Sequence, residues 1–178
     1  MGGNTTHENG AEAYQIVFLG NSLIEVENFV LCAVVFHVRG CVYLYKMDFN
    51  NASIHFKKSC DIYERLDAKN NYVWTLAWYI LSNIKLGRID QKDNIKLIHR
   101  KIDDGWLKDI DFPEVHYNLF RIYNELNNLI EAKSHLDLAY NKLIKQSERI
   151  KKEEFRKSFL QSRCHNELVN DWESLNNR

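Results

Sequence analysis

The sequence predicts an all-α protein assembled from repeated helix pairs, and three observations carry that expectation. One proline and seven glycines in 178 residues leave few places where a helix must break. Apolar residues recur three and four apart, as in Leu119, Ile122, Tyr123 and Leu126 or Leu136, Ala139, Tyr140 and Leu143, with no strand-like alternation. The chain also matches itself at a shift of 40. Residues 36–43 fall over 76–83 and then over 116–123, with large side chains in the same columns, and Ala52 meets Ala132 two periods on.

Residues 1–10 are polar, lack the basic flank and apolar stretch of a secretory signal, and read as a disordered leader. Residues 11–28 sit one period before the second helix of the first pair, with Ile16 and Leu19 matching Phe56 and Ser59, and read as half a repeat. Three pairs follow, at about 30–68, 72–108 and 113–150. Their first helices are expected at 30–46, 72–86 and 114–126, and their second helices at 50–66, 91–104 and 130–150. Asp67-Ala-Lys-Asn-Asn71 and Asp109-Ile-Asp-Phe-Pro113 read as linkers, the proline suiting a first helical turn. The middle pair breaks step in its second helix, where Ile95, Ile98 and Ile102 carry the apolar face. One long amphipathic capping helix is expected at about 153–175, packing through Phe155, Phe159, Leu168, Val169 and Trp172.

The remaining composition narrows function. Twenty-four Lys and Arg balance 24 Asp and Glu, so there is no general excess of positive charge to suit nucleic acid, which is not expected as a partner. Cys32, Cys41, Cys60 and Cys164 form no CxxC pair and read as reduced thiols of a cytoplasmic protein. The strongest apolar run, Phe29 to Val38, is short of the roughly 20 residues that span a bilayer, and no membrane association is expected.

The histidines His37, His55, His99, His116 and His135 fall in proposed helices without the i,i+4 spacing of a zinc motif, so no metal is expected. Cys164 and His165 are adjacent on a helix, diverge, and read as a surface pair. There is no nucleophile elbow or phosphate-cradling glycine loop, and Asp103-Asp104 and Glu153-Glu154 stand at helix ends as solvated charges. No enzyme activity and no cofactor are expected. Between Lys142 and Lys157, seven cations face three carboxylates, with Glu148–Lys152 and Glu153–Lys157 at pairing distance along a helix, so this stretch reads as a self-paired surface.

The pattern of small and large residues resembles the tetratricopeptide repeat in a 40-residue form. That family's small, aromatic, small, large, small series falls on Gly40, Tyr43, Ala52, Phe56 and Ser59 in the first copy, and on Phe120, Tyr123, Ala132, Leu136 and Ala139 in the third, which departs at Phe120. The middle copy is degenerate, with Ile80, Asn83, Lys92, Lys96 and His99 in those columns. Small residues there let neighbouring helices approach closely. Residues 130–175, with Arg156-Lys-Ser-Phe-Leu160 and Trp172, resemble the end of tetratricopeptide regions in multidomain signalling proteins.

The resemblance implies a right-handed superhelical array, closed by the capping helix, whose first helices line a concave groove that binds a protein or peptide partner. The inward positions are Val34, His37, Cys41, Leu44 and Tyr45, then Trp74, Ala77, Leu81, Ile84 and Lys85, then Glu114, Tyr117, Arg121, Asn124 and Glu125. His37, Tyr45, Trp74, Lys85, Tyr117, Arg121 and Asn124 are the partner-binding candidates, aromatic rings as anchors and cations as carboxylate holders. The leading expectation is a non-catalytic interaction scaffold. The alternative is a regulatory sensor region of a larger signalling enzyme or transcription regulator. Self-association through the apolar N-terminal helices is a third reading.

Overall fold

In the computed structural model, which describes residues 28–107 and 112–176, the fold is all-α, with eight helices among the described residues. They are α1 (28–45), α2 (Phe49–Arg65), α3 (Lys69–Lys85), α4 (Lys92–Asp103), α5 (Pro113–Glu125), α6 (Leu129–Glu148), α7 (Glu153–Leu160) and α8 (Arg163–Asn176). The expected leader, half repeat 11–28 apart from its last residue, and linker 109–113 apart from its last two lie outside the described residues.

The helix ends explain the architecture. α1, α3 and α5 stop at residues 45, 85 and 125, one 40-residue period apart, and each runs into a left-handed residue two positions later: Met47 (φ 60°), Gly87 (φ 77°) and Asn127 (φ 56°). Each turn makes the same two backbone bonds. Met47 N–H donates to the Leu44 carbonyl and Asp48 N–H to the Tyr43 carbonyl, both at 2.9 Å. The bonds recur at Gly87 and Arg88, to Ile84 and Asn83, and at Asn127 and Asn128, to Asn124 and Tyr123. This is the Schellman termination, which satisfies carbonyls a helix end leaves unpaired and reverses the chain within three residues. Asp67 (φ 49°) and Gly105 (φ 80°) end α2 and α4 the same way. Asp48 and Asn128, again a period of 80 apart, then cap the following helices, accepting from the amides of Asn51 at 3.1 Å and Glu131 at 3.4 Å.

Two corrections concern boundaries. The stretch 67–71 is not all linker: α3 begins at Lys69, because the turn at Asp67 needs only one further residue before the helix restarts. The terminal stretch is not one long helix but two, broken at Gln161 and Ser162. The break is sealed by a side chain, since His165 Nδ1 lies 2.8 Å from the Phe159 carbonyl oxygen, an acceptor freed at the end of α7. Breaking there lets Leu168 turn into the core, while none of the eight residues of α7 is buried and Phe155, expected on the packing side, is exposed.

The buried apolar side chains form two clusters. One joins α1 to α5 and includes Phe56, Tyr63, Val73, Ile80, Ile98, Leu119 and Ile122. The second joins α5, α6 and α8 through Tyr117, Phe120, Leu136, Leu143 and Leu168, with Trp172 stacked on Tyr140 at 3.9 Å between ring centroids. Between α1 and α2 the approach is set by small residues. Ser59 Oγ donates to the Ala33 carbonyl at 2.8 Å, and the Phe56 ring lies so close to Gly40 that a Cβ there would sit 2.6 Å from it. In α4, Ile95 and Ile98 are buried, carrying the shifted apolar face of the middle pair.

α1 also exceeds the ten-residue apolar run read from the sequence. Asn28–Tyr45 is 18 residues with a mean hydropathy of 1.5, long and apolar enough by length and composition to cross a bilayer, and much of it is exposed.

Two glycines separate two kinds of cost. A Cβ at Gly87 would meet nothing within 4 Å, so Gly87→Ala should cost about 1 kcal/mol from backbone strain alone. Gly40→Ala should cost more, about 1 to 3 kcal/mol, because the Phe56 ring must move. Urea denaturation of both variants checks the order.

Candidate functional site

The first helices α1, α3 and α5 present their C-terminal halves to one cleft of about 310 Å³. Leu44 from α1, Leu81 and Lys85 from α3, and Arg121, Asn124 and Glu125 from α5 line it, and all six belong to the expected inward positions. Phe49 and Phe120 add apolar wall, and Asp171 of α8 closes one side. The cleft therefore has an apolar floor with charged groups around it. Lys85 Nζ is hydrogen-bonded to Glu125 Oε1, which ties α3 to α5 across the rim at positions one period apart.

The partner-binding candidates divide into three groups. Lys85, Arg121 and Asn124 line the cleft, Asn124 being exposed. Tyr45 and Tyr117 meet α8, Tyr45 staying half exposed. Tyr45 Oη is 3.4 Å from Cys164 Sγ, and the Arg163 guanidinium stands over its ring at 4.5 Å. Tyr117 is buried and its hydroxyl donates to Asp171 Oδ2 at 2.7 Å. Arg121 lies over the Tyr117 ring and donates to Glu167 Oε2 at 2.7 Å. His37 and Trp74 require correction, because they are packing residues. His37 is buried with Nδ1 3.0 Å from Thr75 Oγ1, and Trp74 stacks between it and Phe112. A ring stacked on both faces offers little area to a partner.

α8 thus lies along the inward side of α1 and α5, meeting them through Cys164, His165, Glu167 and Asp171. Its other side is anchored on α6, where Leu168 is buried and Trp172 Nε1 donates to Asp137 Oδ1 at 2.8 Å. The expected surface pair Cys164-His165 is half-buried because it forms part of this seam. His165 Nε2 stands 3.6 Å from Glu114 Oε1, and hydrogen bonding to that carboxylate raises its pKa. Cys41, one turn before Tyr45 on α1, has its thiol pushed up to about 11 by burial, with Cys164 adding to the shift.

A second cluster is absent from any reading of spacing. His99 of α4, His116 of α5 and His135 of α6 converge, with the Nδ1 atoms of His116 and His135 3.2 Å apart and His99 Nε2 2.7 Å from the Tyr123 hydroxyl. The Tyr123 ring stacks on His135, nearly parallel to it. Burial lowers His116 to about 3 and His135 to about 4, so both rings are neutral at pH 7. Among the described residues, no three His, Cys, Asp or Glu side chains are placed to hold a metal ion together. The cluster is a packed polar core rather than a set of ligands facing an open position. His99 and His135 are 36 positions apart with two turns between them, and no motif signals their meeting.

The two histidine environments have opposite pH signatures. His37, lowered to about 4, His116 and His135 must be neutral in the fold, so the unfolded chain takes up protons first and stability falls as pH drops below about 6.5. Urea midpoints should therefore decrease from pH 7 to pH 5, and His135→Phe should flatten the decrease. His165 runs the other way: its raised pKa adds stability that is full below about 6.5 and is lost as pH rises through the folded value. Glu114→Gln should remove that alkaline component. Arg121→Ala should cost about 1 kcal/mol by removing one of the two cations on Glu167, which keeps Arg163, and by uncovering Tyr117, as urea denaturation would read.

No family model, curated protein or solved structure matches this chain.

Proposed function

We propose that the chain is a tetratricopeptide-like interaction module that takes a peptide or partner helix in the cleft between α1, α3, α5 and α8, and that it performs no catalytic step itself. The observation that carries this reading is the cleft: six side chains from three different first helices converge on a space of about 310 Å³ that joins an apolar floor to ionic groups. That combination suits a partner segment with an apolar anchor flanked by polar groups. The repeat resemblance is supported by turn geometry recurring at Met47, Gly87 and Asn127 and by the burial of Ala52, Phe56, Ser59, Ala132, Leu136 and Ala139. These are the family's small and large columns in the first and third copies.

A second reading has its own support. α8 supplies carboxylates from the same chain, Glu167 and Asp171, to Arg121 and Tyr117 on the inward side of α5. A module that already holds one of its own helices there suits a regulatory or sensor region, in which an incoming segment is read against that internal one. Both readings use the same cleft and the same cytoplasmic setting.

The test compares proteins retained from a native lysate by the wild-type chain, by Lys85→Ala with Asn124→Ala, and by an outer-surface control, Ile130→Ala. Neither cleft substitution removes a buried side chain, and Ile130 is 83% exposed on α6. A bound protein should be retained at least about tenfold less by the cleft variant and unchanged by the control. Equal retention by all three overturns the cleft assignment.

A further inference from the structure

Two of the four cysteines belong to the seam between α1 and α8. Cys60 is buried in the first core cluster, whereas Cys41 and Cys164 are both half-buried. Cys32 is exposed and stands nine residues, about two and a half turns, before Cys41, which puts it on the opposite side of α1. Cys164 Sγ lies 3.4 Å from Tyr45 Oη. Tyr45 follows Cys41 by one turn, and a long side chain on a helix leans back over the turn before its own Cα, so the hydroxyl and the sulfur beside it lie over Cys41. The charge of an ionised Cys164 also contributes to the raised pKa of Cys41, in agreement with that placement.

We propose that Cys164 and Cys41 form an oxidation site, a pair of thiols that hydrogen peroxide converts into a disulfide joining α8 to α1. Cys164 suits the first step, in which a thiolate is the nucleophile. The Arg163 guanidinium stands over the Tyr45 ring at 4.5 Å, and contact with Cys164 raises the Tyr45 hydroxyl to about 12, so it keeps its proton and can donate to the thiolate. Glu167, which also faces Tyr45, is paired with Arg121 and Arg163. The Cys164 sulfur attacks one peroxide oxygen, an S–O bond forms as the O–O bond breaks, and the departing hydroxide takes the thiol proton to leave as water. The Cys41 sulfur then attacks the Cys164 sulfenic acid, the S–S bond forms as the S–O bond breaks, and the hydroxide leaves as a second water with the Cys41 proton. Two thiols are oxidised and one peroxide is reduced. The bond fixes α8 at the cleft boundary, where a hydrogen bond and a ring contact otherwise hold it to α1. The inference rests on this seam and not on what the cleft binds.

The test exposes the intact reduced chain to hydrogen peroxide, blocks the remaining thiols and maps the digest by mass spectrometry without reduction. A peptide pair joined at Cys41 and Cys164 with loss of both thiol hydrogens is expected, and dithiothreitol should separate it. In Cys41→Ser, dimedone should trap a sulfenic acid at Cys164 and no intramolecular disulfide should form. In Cys164→Ser, Cys41 should react at least about tenfold more slowly than Cys164 does in the wild type. Amide exchange on the wild-type chain needs no substitution: residues 164–172 should exchange at least about tenfold more slowly when oxidised and recover on reduction. An unreacted Cys164, a sulfinic acid there beside a free Cys41, a bond from Cys164 to Cys32 or to a second chain, or α8 exchange unchanged by oxidation would each overturn the proposal. None of these readouts involves Lys85 or Asn124, so failure here and failure of the cleft assignment are separable.

Discussion

A left-handed residue at the end of a helix is the constraint on which the remaining architecture depends. Five helices end this way, at Met47, Asp67, Gly87, Gly105 and Asn127, and each termination satisfies its last carbonyls internally while turning the chain back on itself. Reversal within a few residues forces sequence neighbours to be spatial neighbours, so α1 packs on α2 and α2 on α3 before any long-range contact is required. The 40-residue recurrence of the three first-helix ends then brings Leu44 and Asn124, Leu81 and Arg121, and Lys85 and Glu125 to equivalent places in their pairs, which is why one cleft can draw its walls from three helices. The side chains at the turns differ, and their shared feature is a backbone conformation that glycine and asparagine tolerate best and methionine adopts at a cost.

The cleft owes its boundary to α8. Polar groups on one side of that helix meet α1 and α5, while Leu168 and Trp172 on the other are fixed to α6. The division of labour follows from solvation. Apolar burial holds the helix in place regardless of salt, and the partly exposed Arg121–Glu167 and His165–Glu114 contacts respond to ionic strength and pH.

Most of the fold was legible in the sequence because its signals are local. Helical spacing, Gly87, Asn127 and Pro113 mark elements without reference to anything distant, and six of the fifteen positions expected to face inward line the cleft. The failures share a physical cause. Gln161 and Ser162 break α7 from α8 with no glycine or proline, because the break is stabilised by His165 folding back onto Phe159. His37 and Trp74 sit at inward positions by register, yet each stacks on the other, an arrangement visible only once α1 and α3 are placed side by side. Arg121 reads from the sequence as a holder of carboxylates and Tyr117 as an aromatic anchor. That the carboxylates come from Glu167 and Asp171 of the same chain is a long-range fact that no local pattern carries.

The break after Leu160 gives α7 the character of a ruler. With no fully buried residue of its own, it touches the second cluster only through the partly buried Phe159 and Leu160, but it fixes both the distance and the rotation at which α8 arrives. One residue more or fewer would turn α8 by about 100° and send Leu168 out of the core along with the carboxylates that meet α5. Its exposed side chains can therefore vary through substitution, while Phe159 and Leu160, packed against the second cluster, and the length of the segment are held fixed.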